Sequence, residues 1–320
     1  MLDLVCLGNV TIDDVVLFDG TTRMACFGGD TIYAALSARL WSDAVEMVAP
    51  VGDDYPESHI ARLRQANFDL RGLPRREAPT HRNWVIYEQD GRRTWIARTD
   101  PDQFFLLSPL TTDVPQPYRQ ARAFLILAMD LAAQEDLAFG LCDGDALIAL
   151  DPQEDYIPGN QARILKMLEY VDIFLPSEIE VERLLGHRDY HQAARQFAGL
   201  GCKIVGIKLG AGGSLIYDSR DDRFVRIPVY PTQVVDTTGA GDSFSGGFMA
   251  RYLQTGDIAQ AGVAGTVSAA FAVEGFGLEH LFDVTPSQVR ARLERFPAPE
   301  TFVEVTSRPA KLPDVEERSK

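Results

Sequence analysis

The sequence predicts an α/β protein in three layers (α/β/α), with a mostly parallel central sheet and a small β-sheet lid. Two observations predict the body. Short apolar runs recur along the chain, and most are followed by a stretch with helical spacing. Apolar strands that alternate with helices join through right-handed crossovers and form parallel sheets covered on both faces. A third observation predicts the lid. Residues 15–27 and 84–97 alternate loosely between apolar and polar side chains, as in a sheet with one wet face.

The elements follow in chain order. Leu4-Val5-Cys6-Leu7 reads as the first strand and residues 45–51 as another. A helix follows over 56–66, with Pro56 near its first turn, where a missing N–H is harmless. Residues 124–128, 146–150, 173–175 and 204–207 read as buried strands, and 161–168, 178–185 and 192–200 as helices between them. Gln89-Asp90-Gly91 marks a hairpin turn within the lid. One more helix is expected near 286–296. At ~150 residues per domain the length would allow two domains. The pattern fits one domain over 1–305 instead, with the lid drawn from about 12–27 and 80–99 and a polar tail over 306–320.

Charge narrows the partners. The chain carries 31 basic and 46 acidic residues, a formal charge of −15. Nucleic acids and anionic membranes reward clustered Lys and Arg, so neither is an expected partner. An acidic small molecule stays compatible, because a bound cation or one basic patch reverses the local field. Cys6, Cys26, Cys142 and Cys202 form no C-x-x-C pair, which points to a reducing, cytoplasmic setting. No leader of basic then apolar residues is visible at the start, and the apolar run near 123–129 is too short to span a bilayer.

The most informative segment is Asp236-Thr237-Thr238-Gly239-Ala240-Gly241-Asp242-Ser243-Phe244, which leads from a polar turn into a helical pattern. Three small residues therefore stand where a helix begins. Unpaired N–H groups and the positive end of the dipole lie there, and without bulky side chains they can approach a phosphate. Asp242 falls in the same first turn. It could take a proton from a hydroxyl while the amides stabilise charge on a transferring phosphoryl group. A tight turn followed by an ordinary first-turn acid is the alternative. A dinucleotide-binding G-x-G-x-x-G would need Gly at 244, which is Phe, and no G-x-x-x-x-G-K-[ST] segment occurs.

This segment closely resembles the D-T-x-G-A-G-D signature of the ribokinase-like (PfkB) carbohydrate kinases. The resemblance covers roughly residues 3–285 and implies a ribokinase-like fold and ATP-dependent phosphorylation of a hydroxyl on a sugar or sugar derivative. It makes Asp242 the catalytic base and the Gly239, Ala240 and Gly241 amides the anion hole, with Thr238 beside the nucleotide. Asp236 matches an aspartate that borders a monovalent-cation (K+) site in several members. Gly8-Asn9-Val10-Thr11-Ile12-Asp13 places Asp13 where the family binds sugar hydroxyls, work suited to a carboxylate that accepts two hydrogen bonds. Gly28-Gly29 matches the pair that brings backbone against the sugar, and a helix-start turn explains it equally. Lys208-Leu209-Gly210-Ala211-Gly212-Gly213 resembles the turn near the nucleotide, which implicates Lys208, Gly210 and Gly213. Residues 265–277, rich in Ala and Gly, match the adenine flank, or close helix packing.

Three positions depart from the family pattern. Tyr33 stands where Asn is frequent, and could stack on a base if the acceptor is a nucleoside or another non-sugar alcohol. The N-x-x-E motif associated with Mg2+ appears as Ser177-Glu178-Ile179-Glu180. Glu180 is kept for the metal, but the same residues spell a capping box. The segment from Asp151 to Tyr156 lacks an arginine that many members carry. A non-catalytic ligand-binding homologue is a third reading, and the intact Asp242 counts against it. Arg98 is the lid arginine chosen to meet an acidic or phosphorylated substrate. Trp84 and Trp95 favour a homodimer through the lid, since the family lid can pair between subunits. His187 and His191 are four apart but lack the H-E-x-x-H pattern, so a solvated helix start fits them better than a metal site.

Overall fold

Alternate residues of the first strand enter different cores. Leu4 and Cys6 pack into one apolar cluster and Val5 and Leu7 into the other, as a period of two requires when both sheet faces are covered. The computed structural model describes residues 1–89, 93–100 and 102–302. The centre of the expected hairpin turn and the polar tail lie outside these residues.

Leu4–Leu7 belongs to a nine-stranded sheet. Val45–Val48, Leu4–Leu7, Ala123–Ile126, Leu147–Leu150, Ile173–Phe174 and Ile204–Lys208 run parallel in that spatial order. Ser214–Asp218, Arg223–Ile227 and Glu300–Phe302 extend it antiparallel. The helices Asp30–Arg39, Ala240–Thr255 and Ile258–Ala272 contribute to one core, and Leu131–Leu141, Glu178–Leu185 and Tyr190–Ala198 to the other. The three layers and the mostly parallel sheet are those the sequence predicts.

One strand reading changes. The apolar run over 45–51 is broken after Val48, and Val51–Gly52 pairs instead with Arg75–Arg76. Pro50 has no N–H to offer the ladder, and the Ala49 amide turns to the carbonyl of Gly72 at 2.8 Å. The short edge strand Glu300–Phe302 carries no alternation that would have revealed it.

A separate four-stranded sheet is built from Thr22–Gly28, Thr11–Val16, His81–Tyr87 and Arg93–Ala97, in that spatial order. Thr11–Val16 follows directly from the carboxyl end of Leu4–Leu7, so the small sheet rises from the edge where the parallel strands end. Open α/β sheets bind ligands at that edge.

Candidate active site

Gly239 adopts a left-handed backbone (φ 74°) and begins the helix Ala240–Thr255, a conformation Gly takes without steric cost. The Ser243 amide already donates to the Gly239 carbonyl at 2.9 Å. Ala240 donates to the Thr237 carbonyl at 3.3 Å, whereas the amides of Gly239 and Gly241 have no partner among the described residues. Asp242 stands in the first turn, as expected. The helix lies directly on Asp30–Arg39: a Cβ at Gly246 would meet the Ala34 carbonyl oxygen at 2.0 Å. Gly247 is as closely packed, since a Cβ there would meet Ser268 Oγ at 2.3 Å. Close helix packing therefore accounts for much of the small-residue content between 258 and 272.

Tyr33 lies beneath the glycine turn. It is 2% exposed, and its ring would touch any side chain at 239. Stacking of a base on Tyr33 is therefore not available in this structure: the ring is used to seat Gly239. Asp30, which sequence reasoning missed, stands at the start of the neighbouring helix. Its Oδ1 accepts from the Asn9 amide and from Thr31 Oγ1, both at 2.9 Å. Burial first, and then the charge of Asp242, hold its carboxyl well above the usual carboxylate range. The signal was present, because an acid directly after Gly28-Gly29 at a helix start repeats the arrangement of Asp242.

Asp13 is buried on the strand Thr11–Val16 and accepts from Asn83 Nδ2 and Thr11 Oγ1, each at 3.0 Å. Burial pushes its carboxyl up to about 6, against the pull of those two donors. Gly28 and Gly29 are both required by close approach. A Cβ at Gly28 would sit 2.3 Å from Asp13 Oδ2, and one at Gly29 would sit 2.6 Å from the Asn9 carbonyl oxygen. Arg98 pairs with Asp14 and lies over the Trp84 ring, 5.3 Å from its centroid. Its charge is thus matched within the small sheet.

The expected nucleotide side is equally crowded. Lys208 forms an ion pair with the buried Asp151, which also accepts from Ser245 Oγ at 2.8 Å. Burial opposes the lysine's charge, but Asp151 and Glu180 outweigh it and raise the Lys208 pKa above the usual range. A Cβ at Gly241 would lie 3.4 Å from Lys208 Nζ, so this lysine supports the turn from below. Gly213 (φ 82°) is forced by close approach, since a Cβ would collide with the Ile227 carbonyl oxygen at 2.0 Å. Gly210 opens the exposed turn Gly210–Gly212 with φ 52°.

Thr238 is buried, and its amide donates to Asp236 Oδ1 at 2.9 Å. Asp236 is 1% exposed, and its Oδ2 has no hydrogen-bond partner among the described residues. Glu180 completes the capping box: its Oε2 accepts from the Ser177 amide, and its own amide donates to Ser177 Oγ at 3.3 Å. Burial pushes the Glu180 carboxyl upward, and the positive charge of Lys208 draws it partly back. Among the described residues no group of three or more His, Cys, Asp or Glu could hold a metal ion. His187 bonds to Gln196 and His191 packs on Phe224.

A three-layer α/β body with a carboxylate in a glycine-lined helix start has the architecture of a small-molecule phosphotransferase. Residues 1–283 match the pfkB family carbohydrate kinase pattern, and the chain belongs to that family. It is 32% identical to a cytidine kinase of Thermococcus kodakarensis over 254 residues, 79% of this chain and 89% of that one. Solved structures share the fold at lower identity. A protein assigned as ribokinase II of E. coli, in complex with ATP and Mg2+, superposes with a TM-score of 0.76 at 21% identity, covering 92% of this chain and all of that one. The Burkholderia thailandensis nucleoside kinase in complex with inosine gives 0.75 at 16% identity, covering 92% and 97%. No helix among the described residues is long and apolar enough to cross a membrane.

Proposed function

We propose that this kinase transfers the terminal phosphoryl group of ATP to a hydroxyl of a sugar or sugar derivative, with Asp242 as general base. One observation carries the reading: Asp242 shares a helix start with the amides of Gly239 and Gly241, which have no partner among the described residues. A carboxylate there can take the hydroxyl proton while those amides stabilise the moving negative charge. Ala240 joins the anion hole once its long bond to Thr237 is given up. Asp13, aligned by Asn83 and Thr11, accepts from acceptor hydroxyls, and Gly28 and Gly29 bring backbone beside it. Thr238, Lys208 and the turn from Gly210 to Gly213 border the nucleotide. The small sheet acts as a lid that keeps water from the phosphoryl group.

Glu180 would help to hold Mg2+ through water, and the ion would supply neutralisation of the phosphate charge. The buried Asp236 Oδ2, without a hydrogen-bond partner among the described residues, suits a monovalent cation such as K+, which would settle the loop before Gly239. The outer strands Thr22–Gly28 and Arg93–Ala97 expose Met24, Trp95 and Ile96, which supports a homodimer through the lid. The setting is cytoplasmic.

A nucleoside acceptor is the second reading, favoured by the 32% identity to a cytidine kinase. The test is ADP release from Mg-ATP with ribose, deoxyribose, fructose 6-phosphate, cytidine and inosine in parallel. Acceptor-dependent ADP release is expected, and the acceptor that gives it decides between the readings. Binding of these compounds without any turnover would overturn the kinase reading in favour of a ligand-binding homologue.

A further inference from the structure

Tyr87 ends the strand His81–Tyr87 of the small sheet, yet its hydroxyl reaches the loop before Gly239. It donates to Asp236 Oδ1 at 2.5 Å and accepts from the Thr237 amide at 3.1 Å. Thr237 Oγ1 and Thr238 Oγ1 both lie 3.2 Å away. A phenol has one proton to give and two lone pairs, so these neighbours use its whole capacity. On the body side the same loop is held by the Val273 carbonyl, which accepts from the amides of Val235 and Asp236 at 2.7 and 3.3 Å. The segment that sets the backbone of Gly239 is thus clamped from two sides, and one clamp belongs to the small sheet.

The strand that carries Tyr87 also carries Asn83. Residues 83, 85 and 87 share one face, by the period of two. Asn83 bonds to Asp13, Val85 is fully buried, and Tyr87 bonds to the loop. One rigid strand face, about 13 Å from Asn83 to Tyr87 at ~3.3 Å per residue, therefore joins the buried Asp13 to the helix start that bears Asp242. We propose that Tyr87 is a positioning residue: through it, seating of the small sheet over an acceptor at Asp13 fixes the Thr237–Thr238 backbone and hence the Gly239–Gly241 amides. This rests on the phosphotransfer reading for its consequence in turnover. The contact itself does not depend on that reading.

The test is Tyr87→Phe, which keeps the ring and removes one oxygen. Hydrogen exchange of the peptide spanning 234–241 is measured on the free protein. Exchange at Thr237 is expected to quicken by about tenfold or more while the central strands are unchanged. Exchange within about twofold of the parent protein overturns the proposal. Steady-state kinetics with Mg-ATP and the best acceptor of the panel give the second arm. A fall in kcat of about tenfold or more is expected, with KM for the acceptor within about threefold. An unchanged kcat overturns the coupling even if exchange quickens. So does a loss that vanishes when rates are normalised to folded protein. Thr237→Val, which removes one partner and keeps the shape, is expected to move both readouts the same way but less, so the proposal stays open to refutation if Tyr87→Phe folds poorly. If the parent protein turns over no acceptor, the kinase reading fails, and exchange alone decides whether Tyr87 holds the loop.

Discussion

The ring of Tyr33 lies against the backbone of Gly239 so closely that a methyl group there would sit 2.3 Å from Tyr33 Cγ. The left-handed backbone of Gly239 adds a second constraint, worth about 1–2 kcal/mol for any other residue. Gly239→Ala should therefore lose more stability than the backbone cost alone, because Tyr33 is buried and has nowhere to go. Tyr33→Ala should also destabilise, by about 3–5 kcal/mol as for a large buried aromatic. In the double variant the two losses should fall short of additivity by about 1 kcal/mol or more. Urea unfolding of the four proteins measures this, and additive losses would show that the ring does not constrain the turn.

Asp242→Asn preserves size and helix start but cannot take a proton. Turnover should fall by about 10²–10⁴, while ATP affinity changes little because the amides of Gly239 and Gly241 are untouched. Single-turnover kinetics and nucleotide titration separate the two effects. Turnover within a few-fold of the parent protein would refute Asp242 as the base.

The readable parts of this protein are the contiguous ones. Strands such as Leu4–Leu7 are apolar on both faces, and the helix start at Gly239 is spelled by neighbours in sequence. Contacts between distant segments left no such trace. Tyr87 and Asp236 are 149 positions apart, and nothing in either local pattern announces their bond. Lys208 was legible as a residue near the glycine turn, but its pairing with Asp151 depends on which strand ends lie side by side. Tyr33 was legible as a departure from a pattern, yet not as a buried support, because helix direction and packing decide where its ring goes. Arg98 was legible as a lid cation, but its pairing with Asp14, two strands across the small sheet, was not.

Asp13 couples stability to pH in a direction opposite to that of an ion-paired carboxylate. Burial pushes its carboxyl up to about 6 in the folded protein, so the folded state holds the proton more tightly than the unfolded chain. The stabilising contribution is complete below about pH 4, the ordinary carboxylate range, and is lost as pH rises through about 6. The full swing is on the order of 3 kcal/mol. Asp13→Asn removes the titration and can keep its bonds to Asn83 and Thr11. The variant should gain stability over the parent at pH 7–8 and little or none near pH 4, while its KM for the acceptor rises. Thermal unfolding across that range tests the sign. A variant less stable at both ends would mean that Asp13 is not held against its charge.

Under the proposed function Glu180 would have two duties, and one substitution can separate them. One oxygen caps the helix Glu178–Leu185 by accepting from the Ser177 amide, and Gln serves that role equally well. Burial pushes the carboxyl upward, so an uncharged replacement costs the resting fold little near neutral pH. In the proposed reaction the charge would matter only with nucleotide bound, when Glu180 would help to hold hydrated Mg2+ beside the phosphates. Glu180→Gln should therefore unfold within about 2 °C of the parent protein. It should need about 10–100-fold more Mg2+ for half-maximal turnover, as for loss of an outer-shell partner. Glu180→Ala should show the same magnesium defect together with a lower unfolding temperature, because it also loses the cap. A magnesium dependence unchanged in Glu180→Gln would reduce Glu180 to a capping residue and leave Ser177-Glu178-Ile179-Glu180 with no part in catalysis.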